Sequence, residues 1–313
     1  MSPLVGSSNK ASRCSNEDFP DPDGPHTTIF LFFSTDKRDD IKVLYLFCRF
    51  VDDLGDDKKL SKKVSKIKLT KIKKELLTRK SKNQIIHNFI NLMSKYEIDH
   101  RIPNALIDGI LSDLSKVNIK DYNQLFCYSY KVAGTVGLMM CDIMGVKENS
   151  LKFNAIYLGI AMQLTNISRD VKEDLLRDRI YIPKEIRVHV KNDLHEIPLS
   201  DKLQSEFSKD LKKLIDTSDI IYDLAWEGII KLPLKYRFPI AIASYLYQSI
   251  GTKIKNNKYN IWKQRIYLTK IEKVIKTIKV LIKLIYNKQI CKNSNIREKL
   301  NKNIKKIVLI KCD

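Results

Sequence analysis

Residues 158–183 read LGIAMQLTNISRDVKEDLLRDRIYIP, a stretch that begins apolar and becomes polar along one side of a predicted helix. A polar side chain recurs every three or four residues, at Gln163, Asn166, Asp170 and Asp174. Positions spaced in this way share one face of an α-helix. Desolvating amide and carboxylate groups is costly unless solvent or a ligand compensates them. The pattern therefore predicts a long helix whose polar face either meets solvent or binds something.

A second acidic cluster, residues 49–57, ends an amphipathic helix that is predicted to begin at Asp39. Asp52 and Asp56 are four residues apart, so their carboxylates project from one face, one turn apart. Mg²⁺ prefers hard oxygen ligands and is usually held by one or two carboxylates together with substrate phosphate. The two acidic faces therefore predict a shared Mg²⁺ site, where the metal would act as a Lewis acid and make a bound diphosphate a better leaving group.

The composition favours helices over a turn-rich β architecture. The chain has 313 residues with 43% apolar content, but only 10 glycines and 9 prolines, so long helices can fill a sizeable core. Helical periodicity is readable at 84–96, 103–114, 121–144, 150–176, 201–230, 235–256 and 267–287. We predict an all-α, single-domain helical bundle over 29–290, an irregular, poorly ordered N-terminus over 1–28, and a Lys-rich C-terminal tail over 291–313.

The formal net charge of +21 would attract nucleic acid, an anionic membrane surface or a polyanionic small substrate, and charge alone does not choose among them. A non-catalytic basic protein that binds nucleic acid or membrane leaves the acidic stripe without a purpose, so we expect no nucleic-acid partner. The six cysteines show no metal-ligand spacing and suggest neither a zinc site nor a disulfide framework. We expect a cytoplasmic protein, with peripheral contact at the inner face of the cell membrane as an accessory.

Three motifs in order carry a resemblance to a known family: YLFCRFVDDLGDD (45–57), YSYKVAGTVG (128–137) and QLTNISRDVKEDLLRDRIYIP (163–183). They closely resemble the signatures of the squalene/phytoene synthase family and, within it, of the bacterial phytoene synthases. The run 244–273 also looks like the C-terminal helices of that family, so the resemblance covers roughly residues 36 to 275. It implies a type I isoprenoid synthase bundle with a central cavity.

The resemblance also implies site residues. Those matching Mg²⁺ ligands, with Mn²⁺ as an alternative metal, are Asp52, Asp56, Asn166, Asp170 and Asp174. Those matching catalytic positions are the four aspartates of this set with Tyr128 and Tyr247, whose rings would face cationic intermediates. Those matching substrate-binding positions are Tyr45, Arg49, Val132, Gly134, Gly137, Gln163, Asn166, Arg169, Arg179 and Arg265. The arginines suit bidentate contact with diphosphate oxygens, and the small residues give prenyl tails room.

The implied activity is a prenyltransferase reaction, the first committed step of carotenoid biosynthesis. Two geranylgeranyl diphosphates would condense head to head through prephytoene diphosphate to phytoene, releasing two diphosphates without NADPH. Dehydrosqualene or squalene synthesis from farnesyl diphosphate stays open, because cavity length decides the substrate. One stretch departs from the family: DPDGPHTTIFLFF (21–33) matches poorly the Ser/Thr-Phe segment that contributes to a diphosphate flap.

Overall fold

The computed structural model describes residues 35–57, 59–188, 200–286 and 294–310. The helices in these ranges are α1 (Thr35–Asp56), α2 (Lys62–Thr78), α3 (Gln84–Lys95), α4 (Arg101–Ser112), α5 (Tyr122–Ser129), α6 (Thr135–Met144), α7 (Asn149–Arg169), α8 (Val171–Leu175), α9 (Asp201–Ile229), α10 (Leu234–Asn256), α11 (Lys270–Tyr286) and α12 (Ser294–Ile310). A π-helical segment, Tyr130–Gly134, joins α5 to α6. The prediction of an all-α fold is confirmed.

Local sequence explains several helix boundaries. The side chains of Ser61, Asn83 and Asp121 accept hydrogen bonds from backbone N–H groups in the first turns of α2, α3 and α5, which satisfies donors that lack a partner within the helix. Gly145 ends α6 at a φ of 74°, a left-handed conformation that glycine adopts without a Cβ penalty. These short polar and glycine signals are what separate one helix from the next.

Two features of the backbone differ from the prediction. The helix predicted over 150–176 breaks at Asp170, whose φ of −102° and ψ of 17° end α7 before the short α8 begins. Strands β1 (Val117–Asn118) and β2 (Arg179–Ile180) form a small parallel pair, which was not predicted because two-residue strands show no periodicity. Both features lie beside the candidate site.

The buried side chains form two clusters. One is built around α7, α9 and α10 and includes Ile160, Leu214 and Leu246; the other is built around α1 to α4 and α6 and includes Phe47 and Phe89. Helix α7 packs against α9, α10, α6 and the π segment. A cavity lies where the two clusters meet, with walls contributed by both.

The chain ends were predicted as an irregular N-terminus and a Lys-rich tail. Residues 1–34, which include the proposed irregular segment and the flap stretch, lie outside the described residues. Within the tail, α12 is a helix that buries Ile304 and Ile307 in the first cluster. Cys127 is disulfide-bonded, contrary to the expectation, because sequence spacing does not show which cysteines meet in the fold. None of the described helices has the length and apolarity needed to span a bilayer.

Candidate active site

The cavity between the two clusters has a volume of about 1060 Å³, slightly above the roughly 300–1,000 Å³ typical of ligand pockets. Helix α7 contributes a continuous stripe to its wall: Leu151, Asn154, Ala155, Leu158, Gly159, Met162, Gln163, Asn166 and Arg169, followed by Asp170. The spacing of three and four residues keeps the stripe on one helix face. At 1.5 Å per residue, the stripe from Leu151 to Arg169 runs about 27 Å.

Polarity changes along this stripe. Its first part is mostly apolar, from Leu151 to Met162, and its last part carries amide, guanidinium and carboxylate groups. Apolar side chains from α1, α4 and α6, such as Leu44, Ile110 and Met140, line the cavity opposite. The cavity is therefore suited to an elongated amphiphile with an apolar tail and an anionic head, provided that the carboxylates at the polar end are neutralised.

Helix α1 brings Asp52 and Asp56 to the polar end, as predicted. Asp56 accepts hydrogen bonds from two guanidinium groups, Arg177 Nη1 on Oδ2 and Arg179 Nη1 on Oδ1 at 2.9 Å. Burial works to raise the pKa of Asp56, but the hydrogen bonds from Arg179 and Arg177 outweigh it and hold this pKa below its ordinary value. Asp56 is therefore ionised and fixed in position.

Asp170, at the end of α7, is paired in the same way. Arg169 donates from Nε to Oδ1 at 2.7 Å, and Arg265 donates from Nε to Oδ1 at 2.9 Å and from Nη2 to Oδ2 at 3.1 Å. Burial again opposes ionisation, yet the hydrogen bonds from Arg169 and Arg265 lower the pKa of Asp170. The loop before α11, which carries Arg265, is thereby tied to the end of α7.

Asp52 and Asp174 differ from these two because neither makes an ion pair with a described residue. Asp52 is accessible to solvent, but desolvation by the surrounding cavity wall, reinforced by repulsion from Asp56, raises its pKa to about 6. Burial, reinforced by repulsion from Asp170, raises the pKa of Asp174 to about 8. Beside them, Asn166 Oδ1 is buried without a hydrogen-bond partner among the described residues. These three side chains supply oxygen ligands that the protein itself leaves uncompensated.

This donor set fits a divalent cation. A buried carboxylate with a raised pKa regains its charged form when a cation is placed beside it, and an unpartnered amide oxygen is a hard ligand of the kind that Mg²⁺ accepts. In the described part of the chain, no three His, Cys, Asp or Glu side chains lie close enough together to hold a metal ion by themselves. An open site completed by water and substrate phosphate is the usual arrangement for Mg²⁺.

A buried acid that the sequence did not single out, Asp113, organises the wall next to Asp56. It accepts hydrogen bonds from Tyr128 Oη at 2.9 Å and Tyr181 Oη at 2.8 Å, and the two tyrosine rings stack with centroids 4.7 Å apart. Arg179 Nε also donates to the Asp113 backbone oxygen at 3.2 Å. Burial raises the pKa of Asp113 to about 6 despite the Tyr181 hydrogen bond. In the sequence, Asp113 resembles an ordinary acidic residue at a helix end.

Most other predicted site residues also reach the cavity. Those that line it are Tyr45, Arg49, Tyr128, Val132, Gly137, Gln163, Asn166, Arg169, Asp174, Arg179, Tyr247 and Arg265. Arg49 pairs with Asp53 at 3.0 Å near the mouth. Tyr247 is buried, and burial raises the pKa of its hydroxyl to about 12, so the ring is a neutral wall of the cavity. The catalytic and binding roles of these residues stay predictions.

The two glycines of the second motif have different positions. Gly137 lines the cavity, and a Cβ there would lie 2.5 Å from the backbone oxygen of Ala155; the residue therefore allows α6 to approach α7 closely. Gly134 is not among the cavity-lining residues, and a Cβ there would meet Tyr130 and Ile156 at 3.0 and 3.2 Å. The expectation that Gly134 gives a substrate tail room is replaced by a packing role in the π segment.

Comparison with known proteins assigns the chain to a family. The squalene/phytoene synthase family model matches residues 26–272, which include both aspartate helices and Arg265. The chain belongs to the squalene/phytoene synthase family. Members of this family are prenyltransferase-type isoprenoid synthases that bind prenyl diphosphates and use divalent metal with them.

Curated relatives include plant phytoene synthases. The chain is 29% identical over 282 residues to the chloroplastic phytoene synthase 1 of Arabidopsis thaliana, covering 85% of this chain and 64% of that protein. It is 30% identical over 259 residues to the chloroplastic phytoene synthase of Narcissus pseudonarcissus, covering 78% of this chain and 59% of that protein. The chain thus spans about three fifths of the length of these relatives.

Among solved structures, a dehydrosqualene synthase in complex with a ligand superposes with a TM-score of 0.71, at 23% identity, over 83% of this chain and 91% of that chain. A squalene synthase from Alicyclobacillus acidocaldarius superposes with a TM-score of 0.67, at 18% identity, over 75% of this chain and 89% of that chain. The fold of this family of isoprenoid synthases is therefore shared.

Proposed function

We propose that this protein is a phytoene synthase, which condenses two geranylgeranyl diphosphates head to head and releases two diphosphates. The observation that carries the proposal is the α7 stripe, which passes from an apolar wall to Asn166, Asp170 and, just beyond it, Asp174 along one cavity. A prenyl diphosphate has the matching polarity, with a long apolar chain attached to a polyanionic head. The sequence similarity to phytoene synthases supports the choice of product.

Divalent metal would be held by Asp52, Asp56, Asn166, Asp170 and Asp174. When bound, Mg²⁺ neutralises diphosphate charge and thereby makes diphosphate a better leaving group. Among the described residues, Asp52 and Asp174 find no ion-pair partner and Asn166 Oδ1 finds no hydrogen-bond donor, so we assign these three groups the larger share of the binding. Asp56 and Asp170 already have arginine partners, so their oxygens would be shared between cation and guanidinium.

The two arginines that pair with Asp170 have different roles toward the diphosphate head. Arg265 is 55% exposed in its pair with Asp170, whereas Arg169 is only 14% exposed. A guanidinium at the mouth can turn from a carboxylate to a diphosphate with little desolvation cost, and its planar fork suits two phosphate oxygens at once. We assign Arg265 to contact with substrate, and Arg169 to holding Asp170 in place.

The apolar part of the cavity holds the prenyl chains and excludes water from carbocations. In the first step, the allylic C–O bond of one substrate breaks, diphosphate leaves with the electron pair, and the double bond of the other substrate attacks the cation; loss of one proton closes the cyclopropane of prephytoene diphosphate. In the second step, the remaining diphosphate leaves, the cation rearranges, and loss of a second proton gives phytoene. No reductant is needed, so no NADPH is expected.

Product analysis tests this function. Purified protein is incubated with Mg²⁺ and geranylgeranyl diphosphate without NADPH, beside a parallel reaction with farnesyl diphosphate and an Asp170→Ala control. The proposal expects phytoene from the wild type alone. A thirty-carbon product formed only from farnesyl diphosphate would reassign the protein to dehydrosqualene synthesis, and the absence of product from either substrate would contradict a synthase activity for this chain.

A further inference from the structure

Helix α11 exposes its apolar face. The exposed large apolar side chains of this helix are Ile271, Val274, Ile275, Ile278, Ile282 and Ile285, with exposures between 47% and 77%. Their spacing of one, three or four residues places all six within an arc of about 100° on the helix. We call this set the α11 stripe. Surface helices ordinarily turn such a stripe toward the core, whereas α11 turns it toward solvent.

The opposite face of α11 packs on the protein. Val280 is fully buried on that side. The Nζ atom of Lys283 lies 3.9 Å from the centroid of the Trp226 ring, and the Nζ atom of Lys276 lies 6.0 Å from that of Tyr245. Burial of Lys283 also lowers its pKa. The helix is therefore anchored by lysine–aromatic contacts and Val280, which leaves its isoleucines outside.

The charge of α11 is strongly basic. The helix carries five lysines and one acidic residue, Glu272, and Lys253 neutralises that acid at 2.7 Å. Lys270 and Lys279 are exposed and flank the α11 stripe on its two sides. An apolar stripe bordered by lysines is the pattern of helices that lie in the interface of an anionic bilayer, where isoleucines insert and lysines reach lipid headgroups.

The α11 stripe begins beside the cavity mouth. Tyr267 and Leu268 line the cavity just before α11, and Lys273 lines it from the first turn. Tyr267 is 67% exposed and precedes the first residue of the stripe, Ile271, by four positions. The α11 stripe thus starts three residues after Leu268, a side chain of the cavity wall.

We propose that the α11 stripe docks on a bilayer that contains anionic phospholipids and holds the cavity mouth at the membrane surface. Such a bilayer would bury the apolar stripe in its interface and attract the bordering lysines to its anionic headgroups. A second copy of the chain, packed stripe to stripe, would bring the like-charged lysine borders together. Nucleic acid could pair with the lysines but would leave the isoleucines exposed to water. That this contact delivers apolar substrate and product rests on the proposed function; the docking itself does not.

Vesicle co-sedimentation of the full chain tests the docking. The probes are vesicles of phosphatidylcholine alone and of phosphatidylcholine mixed with phosphatidylglycerol. We expect the wild type to bind the anionic vesicles, with binding that weakens as salt is raised, and the variant Ile278→Glu/Ile282→Glu to bind at least about tenfold more weakly, because two carboxylates replace inserted side chains. Ile278→Ser/Ile282→Ser is expected to lose less than the glutamate pair.

The matched control is Ile67→Glu/Leu77→Glu, which alters two side chains that are 59% and 60% exposed on α2, another lysine-rich helix. This control is expected to bind within about twofold of wild type, although it adds the same two negative charges as the stripe variant. Equal losses in the two glutamate pairs, or no loss in either, would overturn the proposal. If the wild type is a dimer that binds no vesicles, and the stripe variant is a monomer, the α11 stripe would be assigned to self-association instead.

Product formation from detergent-dispersed substrate separates this proposal from the function. The stripe variant should keep wild-type activity in detergent, since its two altered residues do not line the cavity. If the wild type is inactive but still binds vesicles through α11, the proposed function is contradicted and the docking proposal stands. If the wild type is active but does not bind anionic vesicles, the docking proposal is contradicted and the proposed function stands.

Discussion

The two acidic pairs at the cavity mouth are built alike but in opposite order along the chain. On α1, the second carboxylate, Asp56, is held by two arginines, whereas the first, Asp52, has no ion pair with a described residue. After α7, the first carboxylate, Asp170, is held by two arginines, and the second, Asp174, makes no ion pair with a residue in the described ranges. Each side of the mouth thus presents one neutralised and one uncompensated carboxylate.

The paired carboxylates resemble each other further, because each has one half-buried and one more exposed arginine. Arg179 is 11% and Arg177 40% exposed at Asp56, and Asp170 has the same division between Arg169 and Arg265. The half-buried arginines therefore fix the carboxylates, the more exposed arginines can exchange partners, and the uncompensated carboxylates are available to bind a cation.

The largest expected effect comes from removing an uncompensated carboxylate. Asp52→Asn or Asp174→Asn should lower kcat/KM for product formation by at least about a hundredfold, because each removes a charged ligand whose metal stabilises the departing diphosphate. Asp53→Asn is the control, since Asp53 pairs with Arg49 at the exposed end of the same helix and exposed pairs contribute little. A loss at Asp53 equal to that at Asp52 would contradict the assignment.

The buried and exposed arginines should also differ. Arg179→Gln is expected to lower the free energy of unfolding by about 1–3 kcal/mol, because it breaks hydrogen bonds to both Asp56 and the Asp113 backbone in a half-buried site. Arg177→Gln should change it by less than about 1 kcal/mol. Chemical denaturation of both variants checks this, and equal destabilisation would remove the distinction between the two arginines.

A smaller effect is expected at Asp113, which we assign as a positioning residue for Tyr128. Asp113→Asn keeps the shape of the side chain, but an amide has one oxygen in place of two. It therefore cannot accept the hydrogen bonds of Tyr128 and Tyr181 on separate oxygens, as the carboxylate does. We expect kcat to fall by about tenfold while KM changes little, since proximity effects act on the reacting geometry. Tyr181→Phe, which removes one of the two hydrogen bonds, should show a smaller change in the same direction.

The last prediction concerns the pH dependence of stability. The pKa of Asp174 is about 8 in the folded protein against 3.8 ordinarily, so the folded state binds a proton that the unfolded state has lost, and stability falls as pH rises. The penalty is absent below pH 3.8 and complete above about pH 8. In chelator-treated protein, Asp174→Asn should therefore flatten the fall in Tm between pH 5 and 8, and an unchanged slope would contradict the raised pKa.

The sequence predicted the fold class and the family because three long motifs and helical periodicity are local signals. It predicted that Gln163, Asn166, Asp170 and Asp174 share a face, and all four line the cavity. It did not predict the break at Asp170, the β1–β2 pair or the role of Asp113. Asp113 meets Tyr181 across 68 positions, and such a contact leaves no trace in periodicity.

Helix α11 shows a second limit of periodicity. The pattern predicts a helix over 267–287, and α11 spans Lys270–Tyr286, but amphipathicity does not state which face turns inward. In this helix the buried side is formed by Val280 and by lysines over Trp226 and Tyr245. Only tertiary packing reveals that the isoleucines are outside.

Uncompensated carboxylates on both sides of the mouth are expected to hold a divalent cation together with diphosphate. Calorimetric titration of Mg²⁺ into the protein, with and without inorganic diphosphate, tests it most directly in wild type, Asp52→Asn, Asp174→Asn and Asp53→Asn. We predict binding that strengthens when diphosphate is present and is lost in the Asp52 and Asp174 variants but kept in the Asp53 variant. Wild-type affinity retained in both Asp52→Asn and Asp174→Asn would contradict the account.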